Sequence, residues 1–199
     1  MEQTFYSNGK LLITGEYLVL DGAKGLALPT KYGQYLKVTS GELGKIQWAS
    51  FDSDNSIWFE ETFSFNEIIN FNAIDKLSER ETLIKILHEA HLLNTGLFNS
   101  SIGFTVSSVL TFPKLWGLGT SSTLINNIAQ WLQIDAFKLL NNSFGGSGYD
   151  IACAQNDTPI LYQLEDGLPK FAKDEGKHLK YWQDQKKQLK KIIKNLFVE

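Results

Sequence analysis

Residues 112–123 read FPKLWGLGTSST, and they join a strand-like run, SIGFTVSSVL at 101–110, to a helix-like run, STLINNIAQWLQI at 122–134. In the second run Leu124, Ile128, Trp131 and Leu132 recur at helical spacing, so a helix starts within or just after the glycines. A loop that leaves a strand and opens a helix aims backbone N–H groups outward at the positive end of the helix dipole, where an anion is stabilised. Gly117 and Gly119 let the backbone approach that anion closely, and Thr120, Ser121 and Ser122 bring hydroxyls that can bond phosphate oxygens or hold Mg2+. The same composition also suits a plain helix entry with hydroxyl N-caps. Two familiar phosphate loops are excluded: no lysine follows the glycines, and Ser122 stands where a dinucleotide fingerprint needs its third glycine.

Working outward, the residues before the loop are rich in aromatic and β-branched types. TFYSNGKLLITGEYLVL at 4–20 holds two apolar runs around Ser7-Asn8-Gly9, which reads as a hairpin or a bent strand pair. GLALPTKY at 25–32, QYLKVTS at 34–40, KIQWASF at 45–51 and SIWFEETFSF at 56–65 follow as separate strands, several with alternating polarity. SERETLIKILHEAHLL at 78–93 puts Leu83, Ile86, Leu87, Ala90 and Leu93 on one face, with Ser78 and Glu81 in capping-box spacing, and predicts a helix. Residues 135–142 predict a short helix and TPILYQL at 158–164 a strand. The order of elements suits an α+β domain: a mostly antiparallel sheet with helices on one side.

Composition narrows the function. The single cysteine, Cys153, excludes an internal disulfide and any zinc site needing two or more cysteines. His88 and His91 have helical spacing but no third ligand beside them, and read as helix-surface residues. Residues 170–199 carry nine basic and four acidic side chains, while the whole chain is net −3, so the body is acidic and unsuited to a nucleic-acid groove. With no long apolar run and no apolar leader, the expectation is a cytoplasmic protein without a membrane or nucleic-acid partner.

Two further pieces bear on chemistry. GGSGYDIACA at 145–154 places Asp150 where a helix begins after a flexible turn. An aspartate there is either an N-cap or a carboxylate held against a substrate hydroxyl, orienting it toward a γ-phosphate. Lys10 is either a surface lysine on a strand or a cation that stabilises that carboxylate and the charge on transferring phosphate.

NGKLLITGEYLVLDG, PKLWGLGTSST and GGSGYDIACA, in this order, resemble the motifs of the GHMP kinases, the group of galactokinase, homoserine kinase, mevalonate kinase and phosphomevalonate kinase. GEYLVLDG is most similar to the mevalonate and phosphomevalonate branch, and GYDIA is the label of a bacterial subgroup. The resemblance spans about residues 4–165. It implies a ribosomal-protein-S5-domain-2-like fold with a left-handed β-α-β crossover, ATP with Mg2+, and phosphoryl transfer to a small-molecule acceptor. It implies that Gly117, Leu118, Gly119, Thr120, Ser121 and Ser122 wrap the ATP phosphates, with Ser121 nearest Mg2+, and that Asp150 and Lys10 are catalytic. Glu16, Tyr17 and Gly148 would face the substrate; Tyr17 stands where several mevalonate kinases have histidine.

The chain departs from the pattern in two places. Mevalonate kinases carry a metal-binding glutamate between the loop and the aspartate, whereas the only acid between Gly117 and Tyr149 is Asp135. Family members of ordinary length also have a C-terminal domain with a third glycine motif. Here residues 1–169 match the N-terminal domain, and residues 170–199 form a basic tail with Leu179, Trp182, Leu189, Ile192, Ile193 and Leu196 near helical spacing. That tail is expected to be an amphipathic helix. A packing helix, a membrane-surface or partner helix, and the end of a truncated frame all stay open. In the last case the chain would be an inactive ATP-binding remnant whose uncovered surface favours self-association.

Overall fold

Alternation in the second strand builds the sheet: Gln34, Leu36 and Val38 are buried, while Tyr35 and Lys37 face solvent. The computed structural model describes residues 2–72, 76–96, 98, 102–175, 180, 183, 184 and 187. Seven strands form one sheet in the order β4-β3-β5-β2-β6-β7, with β1 also paired to β2. The strands are β1 Gln3–Leu12, β2 Gly25–Gly41, β3 Lys45–Phe51, β4 Ile57–Ser64, β5 Gly103–Leu110, β6 Ile160–Glu165 and β7 Leu168–Lys173. The helices are α1 Phe65–Ile69, α2 Glu79–Leu93, α3 Thr120–Leu132, α4 Ala136–Ser143 and α5 Tyr149–Ala154. Every strand pair is antiparallel except β3 with β5. That parallel pair makes the path through β4, α1 and α2 a crossover.

The predicted mixed fold with a mostly antiparallel sheet holds, with two local differences. The stretch at 4–12 is one strand rather than a hairpin, because Ser7-Asn8-Gly9 is a bulge: the register against β2 slips between Asn8 and Lys10. The segments at 25–32 and 34–40 are likewise one strand of 17 residues. It stays unbroken because β1 pairs along one side while β6 and β5 share the other, β6 at Gly25–Ala27 and β5 at Gln34–Gly41.

The inward face of the sheet contributes Leu36, Val38, Ile46, Trp48, Phe63 and Val106 to a core closed by Leu83 and Leu87 of α2, Ile125 and Ile128 of α3, and Leu139 of α4. Each such side chain contributes about 1.5–3 kcal/mol by leaving water. A second, smaller core of Val19, Ala27, Ala152, Cys153, Ile160 and Tyr162 lies under α5. The capping box predicted for α2 is present: Ser78 accepts from the Glu81 N–H and Glu81 accepts from the Ser78 N–H. No helix among the described residues is long and apolar enough to cross a membrane. The amphipathic helix expected over 179–196 lies outside the described residues apart from 180, 183, 184 and 187. β7 runs across residue 169, so the last strand takes in the first residues of the basic segment.

The two histidines of α2 are not both on its surface. His91 is buried at 7% exposure against the Phe98 ring, and its Nδ1 has no hydrogen-bond partner among the described residues. Burial, with the His88 charge second, pushes its pKa below the ordinary 6.5. The folded state therefore resists a proton that the unfolded chain accepts, and stability falls as pH drops below about 6.5. Urea unfolding at pH 7.5 and 5.5 checks this: wild type loses stability at the lower pH, and His91→Leu loses measurably less.

Candidate active site

The glycine loop is seated on the bulge of β1. The Lys10 N–H donates to the Leu118 carbonyl at 2.8 Å. Gly9 allows this approach, since a Cβ there would lie 2.8 Å from Thr30 Oγ1 and 2.9 Å from the Leu118 carbonyl oxygen. Gly119, the N-cap of α3, has φ +93°, and a Cβ on it would meet the Lys10 stem at 3.1 and 3.3 Å. The lysine thus lies along the loop, with its aliphatic carbons against the glycine backbone.

The start of α3 fits an anion. Its first turn carries no acid and no side chain caps it, leaving the N–H groups of Thr120, Ser121 and Ser122 without intrahelical acceptors. The three hydroxyls differ in use. Ser122 is buried and donates back to the Gly119 carbonyl at 2.9 Å, so it offers a ligand its N–H alone. Ser121 is exposed and Thr120 half-buried.

Beneath α3 a buried polar layer fixes the helix to the sheet. Ser7 donates to Asn127 at 2.8 Å and accepts from Asn126 at 2.8 Å. Asn127 donates to the Gln34 carbonyl at 2.9 Å, and Thr123 donates to Gln34 Oε1 at 2.7 Å. Gln155, just beyond α5, donates to Asn126 Oδ1 at 3.0 Å. The layer therefore ties β1, β2, α3 and the α5 region together.

Beside the loop, Trp58, Trp48, Leu83, Ile86 and Leu124 line a cavity of about 280 Å3, with Thr120, Ser121 and Lys114 also on its wall. Two buried side-chain nitrogens on that wall, Gln34 Nε2 and Trp58 Nε1, have no hydrogen-bond partner among the described residues. The Lys114 ammonium lies 3.7 Å from the Trp58 ring centroid and 3.4 Å from Glu79. Asp52 accepts the Lys114 N–H at 3.1 Å and so anchors the entry to the glycine loop. Sequence reading missed this pocket, because its walls come from β2, β3, β4, α2 and the loop with α3, and no motif links Trp58 to Ser121.

On the other flank of the loop, the Lys10 ammonium lies 5.5 Å from the Tyr149 ring centroid. Asp150 is the second residue of α5, whose N-cap is Gly148, so it does not cap the helix. One of its oxygens accepts from the Ile151 N–H at 3.0 Å. Burial raises its pKa above the ordinary carboxylate value; that N–H and the Lys10 charge pull it back. Burial, with the same carboxylate second, pushes Cys153 up to about 12 and raises Tyr162. Cys153 is thus a buried, protonated thiol.

The structure brings together Lys10, residues 117–122, Gly148 and Asp150. Glu16 and Tyr17 are exposed where a 3-10 turn, Tyr17–Val19, begins, with Tyr17 81% exposed and Val19 buried among Ala152 and Cys153. Asp135 caps α4, accepting from the Phe137 and Lys138 N–H groups at 2.8 and 3.2 Å, so its carboxylate is used locally. Among the described residues no three His, Cys, Asp or Glu side chains gather to hold a metal.

No family model matches the sequence, and no curated protein matches it either. Solved structures match by fold. The Methanococcus jannaschii mevalonate kinase aligns with a TM-score of 0.65 at 15% identity, over 88% of this chain and 56% of that one. The Lactococcus lactis galactokinase, solved with galactose, gives 0.61 at 14% identity over 86% and 46%. The Streptococcus pneumoniae phosphomevalonate kinase, solved with phosphomevalonate and AMPPNP, gives 0.51 at 18% identity over 81% and 49%. The chain spans about half the length of these structures. They are GHMP-type kinases, and this chain shares their fold.

Gly9→Ala tests the seating of the loop. The added methyl cannot fit between Thr30, Leu118 and Tyr32 without displacing backbone, so the variant is expected to lose about 1–3 kcal/mol in urea unfolding. A loss near zero would mean the loop is not held on β1 as described.

Proposed function

We propose that this chain is a GHMP-type kinase that transfers the γ-phosphoryl group of ATP to a hydroxyl or phosphate of a small metabolite, of the mevalonate or phosphomevalonate kind. One observation carries the proposal: Thr120 and Ser121 at the start of α3 line the aromatic pocket, the Lys10 stem lies beside Gly119, and the Lys10 charge reaches Asp150. A base, a polyphosphate and a reacting hydroxyl need these surroundings in this order.

The residues fit ATP. The pocket offers apolar walls for a base and, in Gln34 and Trp58, two buried polar nitrogens without partners among the described residues. Residues 117–122 offer uncapped N–H groups to the phosphates, and Lys10 sits where the transferring phosphoryl would leave the loop. Mg2+ bound with the nucleotide would neutralise phosphate charge, and Ser121, exposed at the cradle, would be the hydroxyl to meet it.

The protein's own part is positioning and electrostatics. Asp150 accepts the proton of the acceptor hydroxyl or orients it, and the Lys10 charge favours the ionised carboxylate against burial. Among the described ion pairs none joins Lys10 to Asp150, and in this reading the reacting group lies between them. A nucleotide-binding protein without turnover is the second reading, favoured by the use of Asp135 as a helix cap rather than as a metal ligand.

Assays with mevalonate, phosphomevalonate and homoserine separate the two readings. Turnover is expected in wild type, and Asp150→Ala is expected to lose at least 100-fold in kcat while ATP still raises the melting temperature. Because Asp150 acts ionised and its pKa is raised, kcat is expected to fall on acidification at a pH above the ordinary carboxylate value of 3.8. A variant that retains turnover would remove Asp150 from the chemistry.

A further inference from the structure

Asp150 stands on a helix of six residues that opens from a turn of three glycines, a weak platform for a group that must be placed within a fraction of an ångström. What holds that platform comes from β6. The Tyr162 side chain is fully buried, and its hydroxyl donates to the Ser147 carbonyl, on the last residue before the α5 N-cap. Gly148 has φ +82°, and a Cβ on it would lie 3.2 Å from the Tyr162 oxygen and 3.0 Å from the Phe137 ring. The Tyr162 ring also meets Tyr149 edge-on at 6.5 Å and stacks on Phe171 at 6.2 Å. Tyr149 in turn lies under the Lys10 ammonium. One side chain therefore touches the turn before Asp150 and the ring that seats Lys10.

We propose that Tyr162 is a positioning residue for the Asp150 and Lys10 pair: its hydroxyl pins the 145–148 turn through the Ser147 carbonyl, and its ring seats Tyr149 under Lys10. The catalytic part of this proposal rests on the phosphotransfer reading of Asp150. The positioning part does not, since it concerns the closed state of the turn. The groups that face Asp150 are Lys10 from β1, Cys153 from α5 and Tyr162 from β6. Cys153 and Tyr162 are neutral near pH 7, because burial and the Asp150 charge both raise them. Lys10 is then the facing charge, and water entry is what a loosened turn would change.

The chain supplies its own reporter. Cys153 is the only cysteine, is fully buried, and lies three residues after Asp150, so its reaction with a thiol reagent requires this segment to open. Tyr162→Phe keeps the ring and removes the hydroxyl. It is expected to raise the native-state labelling rate of Cys153 about 3- to 10-fold, the worth of one internal hydrogen bond. Phe171→Leu, which trims the stacking partner and leaves the hydroxyl, is expected to stay within about twofold of wild type. In the kinase assay Tyr162→Phe is expected to lower kcat by a similar factor with KM for ATP unchanged. Its acid limb is expected to move toward lower pH, because water admitted to Asp150 weakens the burial that raises its pKa.

An unchanged labelling rate in Tyr162→Phe would overturn the proposal. So would a variant in which kcat and melting temperature fall while KM for ATP rises, since that pattern marks general loss of structure. If wild type turns over no acceptor, the kinase reading fails by itself, and Cys153 labelling alone decides whether Tyr162 pins the turn.

Discussion

The site depends on one backbone hydrogen bond, from the Lys10 N–H to the Leu118 carbonyl. It forms because β1 bulges at Gly9, where a side chain would strike Thr30, Leu118 and Tyr32. Beyond the bulge Lys10 still pairs with Pro29 of β2, while its N–H goes to the loop. The loop thus lies on the strand, the lysine stem lies on the loop, and the α3 N-terminus sits between an aromatic pocket and a carboxylate.

The polar layer under α3 gives this arrangement its direction. A helix held only by Ile125, Ile128 and Leu132 would tolerate sliding along its axis, because apolar contact is nondirectional. Ser7, Gln34, Asn126 and Asn127 do not tolerate it: each is buried, and a shift would leave donors and acceptors unpaired at about 1–3 kcal/mol each. Hydrogen bonds inside the protein therefore set the height of the loop against Lys10, while the apolar core supplies the bulk of the stability.

Legibility in the sequence followed the range of each interaction. The capping box of α2 and the helix after the glycines are local and were readable from spacing. The bulge was not, since Ser7-Asn8-Gly9 has the composition of a turn and only pairing along β2 reveals it as one strand. His91 looked like a surface residue because its burial comes from Phe98, outside the helix. In the site, residues 117–122 and Asp150 announced themselves by glycine. Trp58, Lys114 and Gln34 did not, because they meet only when β2, β4 and the loop come together. Tyr162 carried no signal beyond being an aromatic in a strand.

Asp150 sits in a balance of opposing terms. Burial raises its pKa, while the Ile151 N–H and the Lys10 charge lower it. A carboxylate whose pKa is raised is a stronger base than an ordinary aspartate, which suits the role proposed for it. The proposed phosphotransfer requires a nucleotide across the α3 N-terminus. A crystal structure of the chain with Mg2+ and a non-hydrolysable ATP analogue tests it most directly. The phosphates are predicted on the N–H groups at 119–122, with the base against Trp58. An analogue bound elsewhere, or no analogue bound at saturating concentration, would contradict the account.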